Sequence, residues 1–344
     1  MKYAQKTSAV SPIVATLVLI VVAVVGAVAV GTIMGTFSNS VSKQTDASQA
    51  SSASQTELLT GGSTTVQPAS EQIAKVYMVK NPGIKITVSG GGSGAGVAQT
   101  ASGVLDIGAS SDLSKITDWQ SAHPTDDLRY TQIGGSGIVW IANGATAANM
   151  SKGDIKSLYA NGTAANGITK AIQRSDSSGT EEGAAKWLSA GADKSLDGYT
   201  CGGDSAKCLA ANGNAGVLAL VGTTANSIGF VDLGYAFDSS GVSKLGTGVS
   251  VINPGNDAGT DFYITSRTNI LNACKDLNNG KTSSSSYPLS FKSDGTGTGL
   301  VRGLYYLTKG LPTPIESNYI NFAASPSSCD AMHLAGVFCN ADLA

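Results

Sequence analysis

The sequence predicts an α/β protein whose parallel strands are connected by crossover helices. Between residues 58 and 111, apolar residues follow the order strand, helix, strand, helix, strand. Three short loops rich in glycine and hydroxyl residues each precede a predicted helix. The chain of 344 residues is also long enough for roughly two domains. These observations favour a layered fold that binds ligands at the carboxyl ends of its strands.

The composition excludes several functions. Lys and Arg total 22 against 24 acidic residues, so we expect no basic surface for nucleic acid. The chain has two histidines, His123 and His333, and no C-x-x-C motif, which argues against a zinc finger or a multi-histidine metal site. We therefore expect no metal and no other cofactor. Charged residues make up only 13% of the chain, which favours an exported protein.

The N-terminal segment predicts a membrane helix. After Lys2 and Lys6, residues 13–35 form an apolar run of 23 residues without a charge. Such a run spans the ~30 Å hydrocarbon core of a bilayer, and it is longer than the roughly 7–15 apolar residues of a cleaved secretory signal. The positive flank predicts a chain anchored in the cytoplasmic membrane with its remaining residues outside the cytoplasm.

The basic leader and the following AVSPIVATLVLIVVAVVGAVAVG resemble the N-terminus of archaeal type IV pilins. The resemblance implies a leader of residues 1–8 that is cut near Ser8–Ala9, and a helix of residues 9–35 that serves as anchor or filament core. Small residues at every fourth position would let this helix pack against sister subunits. These residues are Ala23, Ala27, Gly31 and Gly35. A run this rich in Ala, Gly and Val also produces such spacing by chance.

The predicted elements then follow in order. Residues 36–57 are rich in Ser, Ala, Gln and Thr and predict a stalk. The globular part begins at about Leu58 with a short strand, and Pro68 fits the first turn of a helix. Residues 84–88 alternate as a second strand. A short helix through Ala101 and the strand-like segment LDIGAS complete the pattern.

Three loops have the residue types of an anion-binding site. They are GSTTV (residues 62–66), GGGSG (90–94) and RSDSSGT (174–180). Helix N-termini present unpaired N–H donors, glycine lets the backbone approach a ligand, and Ser or Thr adds a hydroxyl group. Arg174, one of four arginines in the chain, stands in the third loop, and its planar guanidinium matches an oxyanion. We expect this site to bind an oxyanion without transferring it.

Along the globular part, several motifs in order resemble the phosphate-binding proteins of phosphate-specific ABC importers. They are GSTTVQP, GGGSGAGVAQTASGVLDIGASS, GIVWIANG, IKSLYANG, RSDSSGTEEGAAKWL, GNAGVLALV, NSIGFVDLGYA and LYYLTKGLPTPIESNYINFAASP. The resemblance implies an α/β, two-lobed fold of the periplasmic-binding-protein type II class with a hinge. Lobe I would combine residues 58–132 with residues 250–344, and lobe II would span residues 133–249.

Carried over by position, the resemblance implies a phosphate site built from the three loops and the GAS segment. Its ligand-binding residues would be Thr64, Thr65, Val66, Ser93, Ser111, Asp112, Arg174, Ser178, Gly179 and Thr180. Asp176 would pair with the arginine and orient it. Some members carry an acid where this chain has Ser111, so Asp112, or alternatively Asp176, is expected to accept the proton of hydrogen phosphate and reject sulfate. If Asp112 does not turn inward, other tetrahedral oxyanions would also bind.

Each motif also fits a simpler structure. The third loop fits an ordinary capping box at Ser178 and Glu181, and its arginine fits a surface ion pair. The glycine loop lacks the GK[ST] of a P-loop and the spacing of GxGxxG. Neither Ser93 nor Ser136 lies in a GxSxG motif, and the sequence presents no acid–base dyad. We therefore expect no enzymatic activity.

The five cysteines follow the N-terminal segment, where an oxidising environment would favour disulfides. The local pairs are Cys201–Cys208 and Cys329–Cys339, which would leave Cys274 free, although sequence alone does not fix the connectivity. The sequons at Asn149 and Asn161 are expected to be exposed and open to glycosylation.

Two functions follow from these features. The globular residues favour a surface-tethered protein that captures inorganic phosphate for the membrane subunits of an ABC importer, with the anion holding the two lobes closed. The first 35 residues favour the alternative, a type IV pilin-like filament subunit at the archaeal cell surface whose outer domain keeps the binding-protein fold. Fold alone does not decide between these two functions.

Overall fold

The structure is a computed structural model that describes residues 56–257, 259–289 and 299–344. The predicted leader (1–8), the predicted membrane or pilin-like helix (9–35) and nearly all of the predicted stalk (36–57) lie outside the described residues. Within the described ranges, no helix combines the length and the apolar character that crossing a membrane requires.

The described residues form an eleven-stranded sheet. Its strands are β1 (Thr56–Gly62), β2 (Ile84–Ser89), β3 (Ile107–Ser110), β4 (Leu128–Asn143), β5 (Asn149–Met150), β6 (Lys170–Arg174), β7 (Cys208–Ala211), β8 (Ser227–Asp232), β9 (Val249–Pro254), β10 (Val301–Lys309) and β11 (Phe338–Cys339). The main path across the sheet is β2-β1-β3-β10-β4-β8-β6-β7, while β5, β9 and β11 lie off this path.

The helices lie between these strands and after the last long one. They are α1 (Gln67–Lys80), α2 (Ser93–Ala101), α3 (Leu113–Ala122), α4 (Lys152–Asn161), α5 (Gly179–Ser189), α6 (Gly213–Thr223), α7 (Leu233–Ala236), α8 (Arg267–Asn278), α9 (Pro314–Ala324) and α10 (Cys329–Leu334). A 3-10 turn (Asn340–Leu343) follows β11. The order β1-α1-β2-α2-β3 is the predicted strand–helix alternation.

Two groups of parallel strands make up most of the sheet. In the first group, β1 pairs in parallel with both β2 and β3. In the second, β6 pairs in parallel with both β7 and β8. Between the groups, β10 and β4 pair antiparallel to each other. The prediction of an α/β fold with parallel strands and crossover helices is confirmed.

The long strand β4 belongs to both halves of the sheet. Its residues 128–137 pair with β10, and its residues 138–143 pair with β8. The short strand β11 adds to β4 at Gly134 and Gly135. One continuous strand of 16 residues therefore runs through the place where the two groups meet.

Buried apolar side chains form two main clusters, one for each half of the sheet. The larger cluster surrounds the second half of β4. There the Trp140 ring meets the rings of Tyr159 and Phe230 edge-on, with centroid distances of 5.9 and 5.4 Å. The other cluster packs α1 against β1 and β10, and its Ile73 and Tyr306 have no solvent exposure.

The packing of several residues after β9 begins bears on the predicted lobes. Ile252, Ile270 and Tyr287 belong to the larger cluster, together with residues of predicted lobe II. The chain after about residue 250 is predicted to belong to lobe I. The limits of the two lobes remain a prediction.

The predicted disulfides are present. Cys201 is bonded to Cys208 and Cys329 to Cys339, and Cys274 is free and buried. The second disulfide ties α10 to β11. The side chains of Asn149 and Asn161 are exposed, as expected for both sequons.

Candidate functional site

The polar segments that the sequence singles out converge at one region of the fold. Residues 63–66 lead from β1 into α1, and residues 175–178 lead from β6 into α5. Ser93 is the first residue of α2, Ser111 follows β3, and Asn214 lies in the first turn of α6. Because loops after parallel strands emerge at the same edge of a sheet, their polar side chains meet there.

A pair of buried hydroxyl groups links the two main loops. Thr65 Oγ1 and Thr180 Oγ1 lie 3.1 Å apart, although the residues are separated by 115 positions in the chain. Neither residue is more than 2% exposed. Asn214 Nδ2 donates to Thr65 Oγ1 over 3.1 Å and to Thr64 Oγ1 over 3.2 Å. These contacts join a loop of predicted lobe I to two helices of predicted lobe II.

Arg174 forms a two-bond ion pair with Asp176. Its Nε donates to Asp176 Oδ1 over 2.7 Å, and its Nη2 donates to Asp176 Oδ2 and, over 3.0 Å, to Thr64 Oγ1. The arginine side chain is 1% exposed, and its Nη1 has no partner among the described residues. Burial alone would raise the pKa of Asp176, but hydrogen bonds from Arg174 and from the Gly213 N–H hold it below its ordinary value. Asp176 is thus a carboxylate that fixes the guanidinium plane.

A second buried guanidinium lies beside the hydroxyl pair. Arg302 on β10 is 8% exposed, and its Nη2 lies 3.1 Å from both Thr65 Oγ1 and Thr180 Oγ1. The same nitrogen donates to Asp232 Oδ2 over 2.8 Å. Arg302 Nε and Nη1 have no partner in the described part of the chain. Arg302 is not among the ligand-binding residues predicted from the sequence.

Asp232, at the end of β8, is itself held from several sides. Its Oδ1 accepts from the Ser136 hydroxyl over 2.9 Å and from the Gly234 N–H over 3.2 Å. Its own N–H donates to Asn214 Oδ1 over 3.0 Å. Burial raises the pKa of Asp232, and the positive charge of Arg302 opposes this rise. Residues of β4, β8, β10 and α6 therefore fix the second guanidinium.

The glycine loop and the GAS segment contribute a second pair of hydroxyl groups. Ser93 Oγ accepts from the Ser111 N–H over 3.1 Å and lies 3.3 Å from Ser111 Oγ. A Cβ atom at Gly179 would lie 2.8 Å from Ser93 Oγ and 2.9 Å from Ser111 Oγ. The backbone of α5 at Gly179 therefore lies directly against both serines, because glycine has no side chain.

The start of α5 has a side-chain cap but not the complete capping box. Ser178 Oγ accepts from the N–H groups of Thr180 and Glu181, each over 3.1 Å. The Glu181 carboxylate accepts instead from the Arg174 N–H over 2.7 Å and from the Leu196 N–H over 3.1 Å. Only the Ser178 half of the predicted capping box is therefore present, because the Glu181 side chain binds the end of β6.

The Asp112 carboxyl group is engaged by groups other than the predicted ligand. Its Oδ1 accepts from the Ser114 N–H over 2.8 Å, which caps α3, and lies 3.5 Å from Lys186 Nζ. Burial and the negative charge of Glu182 raise the pKa of Asp112. Its predicted role as acceptor of a phosphate proton remains a prediction.

Val66 differs from the other predicted ligand residues. Its side chain has no solvent exposure and packs in the cluster around α1. Its N–H donates to the Ser63 carbonyl group over 3.1 Å. A ligand contact at this N–H would have to share or replace that bond.

Sequence reasoning missed Arg302, Asp232 and Asn214. The apolar surroundings of Arg302 in LVRGLYYL are a usable signal, because a charge buried in a strand needs a partner. The other two residues carry weaker signals. Asp232 follows the apolar segment SIGFV, and Asn214 lies between glycines at a helix start.

The site offers more unpaired donors than acceptors. Three buried guanidinium nitrogens of Arg174 and Arg302 lack partners in the described residues. Buried donors are normally paired, so a small ligand with several acceptor oxygens suits this arrangement.

One set of side chains elsewhere has the composition of a metal site. The candidate ligand atoms of His333, Cys339 and Asp342 lie within 4.8 Å of one another. Cys339 is bonded to Cys329, however, so its sulfur is not a free thiolate ligand. We assign no metal to this set.

The α/β sheet has two groups of parallel strands, and buried hydrogen-bond donors lie where the loops leave these strands. This arrangement is typical of a solute-binding protein fold. The chain belongs to the PBP superfamily, because the model of the PBP superfamily domain matches its residues 47–327. No curated protein matches the chain.

Several solved structures share the fold. A high-affinity periplasmic phosphate-binding protein (PfluDING) bound with phosphate is 18% identical with a TM-score of 0.59, and the match covers 84% of this chain and 92% of that one. An ABC-type phosphate transport receptor from Vibrio cholerae is 19% identical with a TM-score of 0.53, covering 83% and 100%. A phosphate-binding protein from Stenotrophomonas maltophilia is 11% identical with a TM-score of 0.54, covering 83% and 90%. At these identities the matches show the fold, and they confirm the predicted periplasmic-binding-protein class.

Proposed function

We propose that this chain is an extracytoplasmic binding protein that captures inorganic phosphate for an ABC importer. The observation that carries the proposal is the buried hydroxyl pair of Thr65 and Thr180, together with the buried Nη1 of Arg174, which has no partner in the described part of the chain. The solved structures named above, described as phosphate-binding or phosphate transport proteins, support this choice of ligand. The proposal includes no catalysis and no cofactor.

The proposed ligand contacts are the predicted ones. The anion would lie among the three loops, with its oxygens accepting from hydroxyl groups, helix N–H groups and Arg174. Since these groups come from both predicted lobes, a bound anion would hold the lobes closed. The membrane subunits of an importer would then receive the closed form.

Tethering to the cytoplasmic membrane is part of the proposal. It rests on the apolar run of residues 13–35 and on the basic leader before it. The alternative of a pilin-like filament subunit rests on the same residues alone, so we favour the tethered receptor.

Calorimetry of the full chain, purified in mild detergent, tests the proposal. We expect binding of phosphate and arsenate, and weaker binding of sulfate if Asp112 accepts a ligand proton. Absence of binding to all three anions would contradict the proposed function. Equal affinity for phosphate and sulfate would instead indicate a general receptor for tetrahedral oxyanions.

Arg174→Ala provides the matched variant. In the proposed complex, Arg174 and the phosphate form a buried charge pair. Truncation of one member of such a pair costs about 2–5 kcal/mol of binding free energy, so phosphate binding should be nearly abolished. The control is Arg129→Ala, because Arg129 is exposed and pairs with Asp127 at the surface. Wild-type affinity in the Arg174 variant would show that the anion binds elsewhere.

A further inference from the structure

We propose that Arg302 is a second ligand-binding cation, and that it makes the site specific for a free inorganic oxyanion over a phosphate ester. This proposal rests on the proposed function, because it assigns a further residue to the same site. Arg302 lies on β10, outside the three loops that carry the predicted contacts.

The guanidinium of Arg302 has more donors than partners. Its Nη2 is shared among Thr65 Oγ1, Thr180 Oγ1 and Asp232 Oδ2, at 3.1, 3.1 and 2.8 Å. Its Nε and Nη1 are buried without a partner among the described residues. Leaving a buried donor unpaired destabilises a structure, and the effect is larger for a charged group. A ligand that supplies an acceptor to either nitrogen would reduce this destabilisation.

The two buried arginines are built in the same way. Arg174 and Arg302 each donate to an aspartate of their own and also to a threonine hydroxyl of the site. Each keeps at least one nitrogen that has no partner within the described ranges. Because each aspartate balances the charge of its arginine, the second arginine adds donors to the site without adding net charge. If Arg302 served only as the ion-pair partner of Asp232, it would not need hydrogen bonds to the hydroxyl groups of both Thr65 and Thr180.

The position of Arg302 explains the expected specificity. Arg302 lies on β10 opposite Ser136 of β4 and is 8% exposed, so its guanidinium is largely removed from solvent. All four oxygens of inorganic phosphate are available as acceptors. In an ester one oxygen carries carbon, and that group would have to lie against buried donors that it cannot pair. Donors from both Arg174 and Arg302 would thus favour the unsubstituted anion.

Calorimetry of the full chain with inorganic phosphate and methyl phosphate tests this proposal. The variant is Arg302→Gln combined with Asp232→Asn, which removes both charges and avoids an unpaired buried carboxylate. We expect its phosphate affinity to fall by about 10- to 100-fold. Its methyl phosphate affinity should change much less, so the preference for the inorganic anion should shrink.

Arg267→Gln is the control. Arg267 is half-buried, donates to the carbonyl groups of Gly336 and Val337, and stacks on Phe338. Its loss should lower thermal stability without changing the affinity for either ligand. If the double variant does not fold, Arg302→Lys, which keeps the charge and loses the planar fork, should show the same loss of preference.

The outcomes separate this proposal from the proposed function. Unchanged phosphate affinity in the variant, or an equal loss for both ligands, would overturn the role of Arg302 while leaving phosphate binding established. A wild-type chain that binds no oxyanion would overturn both proposals.

Discussion

The contacts around Asp112 determine how its carboxyl group titrates. Its Oδ1 caps α3 and lies 3.5 Å from Lys186 Nζ. Burial and the charge of Glu182 raise its pKa, and the lysine opposes this rise without reversing it. The folded protein therefore keeps a proton on Asp112 to higher pH than the unfolded chain does.

Asp112→Asn should change the pH dependence of the free energy of unfolding. Because the pKa is raised in the folded state, protonation of Asp112 contributes stability that is fully present below the ordinary pKa of about 4. This stability is lost as the pH rises through the raised pKa. The wild type should therefore gain stability relative to the variant as the pH falls through this window.

Urea unfolding of both proteins over this pH range measures the difference. Asn is as good an N-cap residue as Asp, so α3 should keep its cap in the variant. If the difference in free energy of unfolding between the two proteins stays constant with pH, or changes in the opposite direction, the raised pKa of Asp112 is contradicted.

At the scale of secondary structure elements, the start of α5 depends on a glycine. Gly179 lies against Ser93 and Ser111, and a Cβ atom there would also lie 3.0 Å from Asp112 Cβ. These neighbours belong to loops from the first group of strands. The close approach of α5 to these loops therefore requires a residue without a side chain.

Gly179→Ala should weaken oxyanion binding and lower stability. Overpacking of a tight contact costs about 1–3 kcal/mol, and relief would move Thr180 away from Thr65. The matched control is Gly222→Ala in α6, where nothing lies within 4 Å of the added Cβ. That change should be neutral or should stabilise by up to ~1 kcal/mol. Thermal unfolding and phosphate titration of both variants measure these effects. Equal stability and equal phosphate affinity in the two variants would contradict the close contact of Gly179 with Ser93 and Ser111.

The sequence predicts those elements and contacts that neighbouring residues determine. The order β1-α1-β2-α2-β3 follows from local periodicity and from glycine and proline at the ends of elements. Arg174 and Asp176 lie two positions apart on one loop, so their pairing is visible in the sequence. Arg302 and Asp232 are 70 positions apart, and they meet because β10 and β8 both pair with β4. No local pattern contains that information.

At the scale of the whole molecule, β4 and the C-terminal segment form one unit. β11 pairs with Gly134 and Gly135, and a side chain at Gly134 would collide with the Phe338 carbonyl group. Leu343 is buried, and its Cδ1 would lie 3.1 Å from a Cβ atom at Gly135. The disulfide Cys329–Cys339 ties α10 to β11, the strand that pairs with β4 where the two halves of the sheet meet.

Loss of this disulfide should loosen β4. Cys329→Ser with Cys339→Ser should lower the free energy of unfolding by about 2–4 kcal/mol. It should also speed amide hydrogen exchange at residues 134–135. The control, Cys201→Ser with Cys208→Ser, opens a loop of similar size, with a sequence separation of 7 against 10, away from β4. Equal exchange at residues 134–135 in both variants would contradict a bracing role for the C-terminal disulfide.

The closeness of the last turn to the middle of β4 has a practical use. Ala341 is exposed and lies in the turn that follows β11. If phosphate closes the lobes as proposed, an environment-sensitive fluorophore attached at residue 341 would report that closure from a position outside the three loops of the site. The protein would then report phosphate in solution as a change in emitted light.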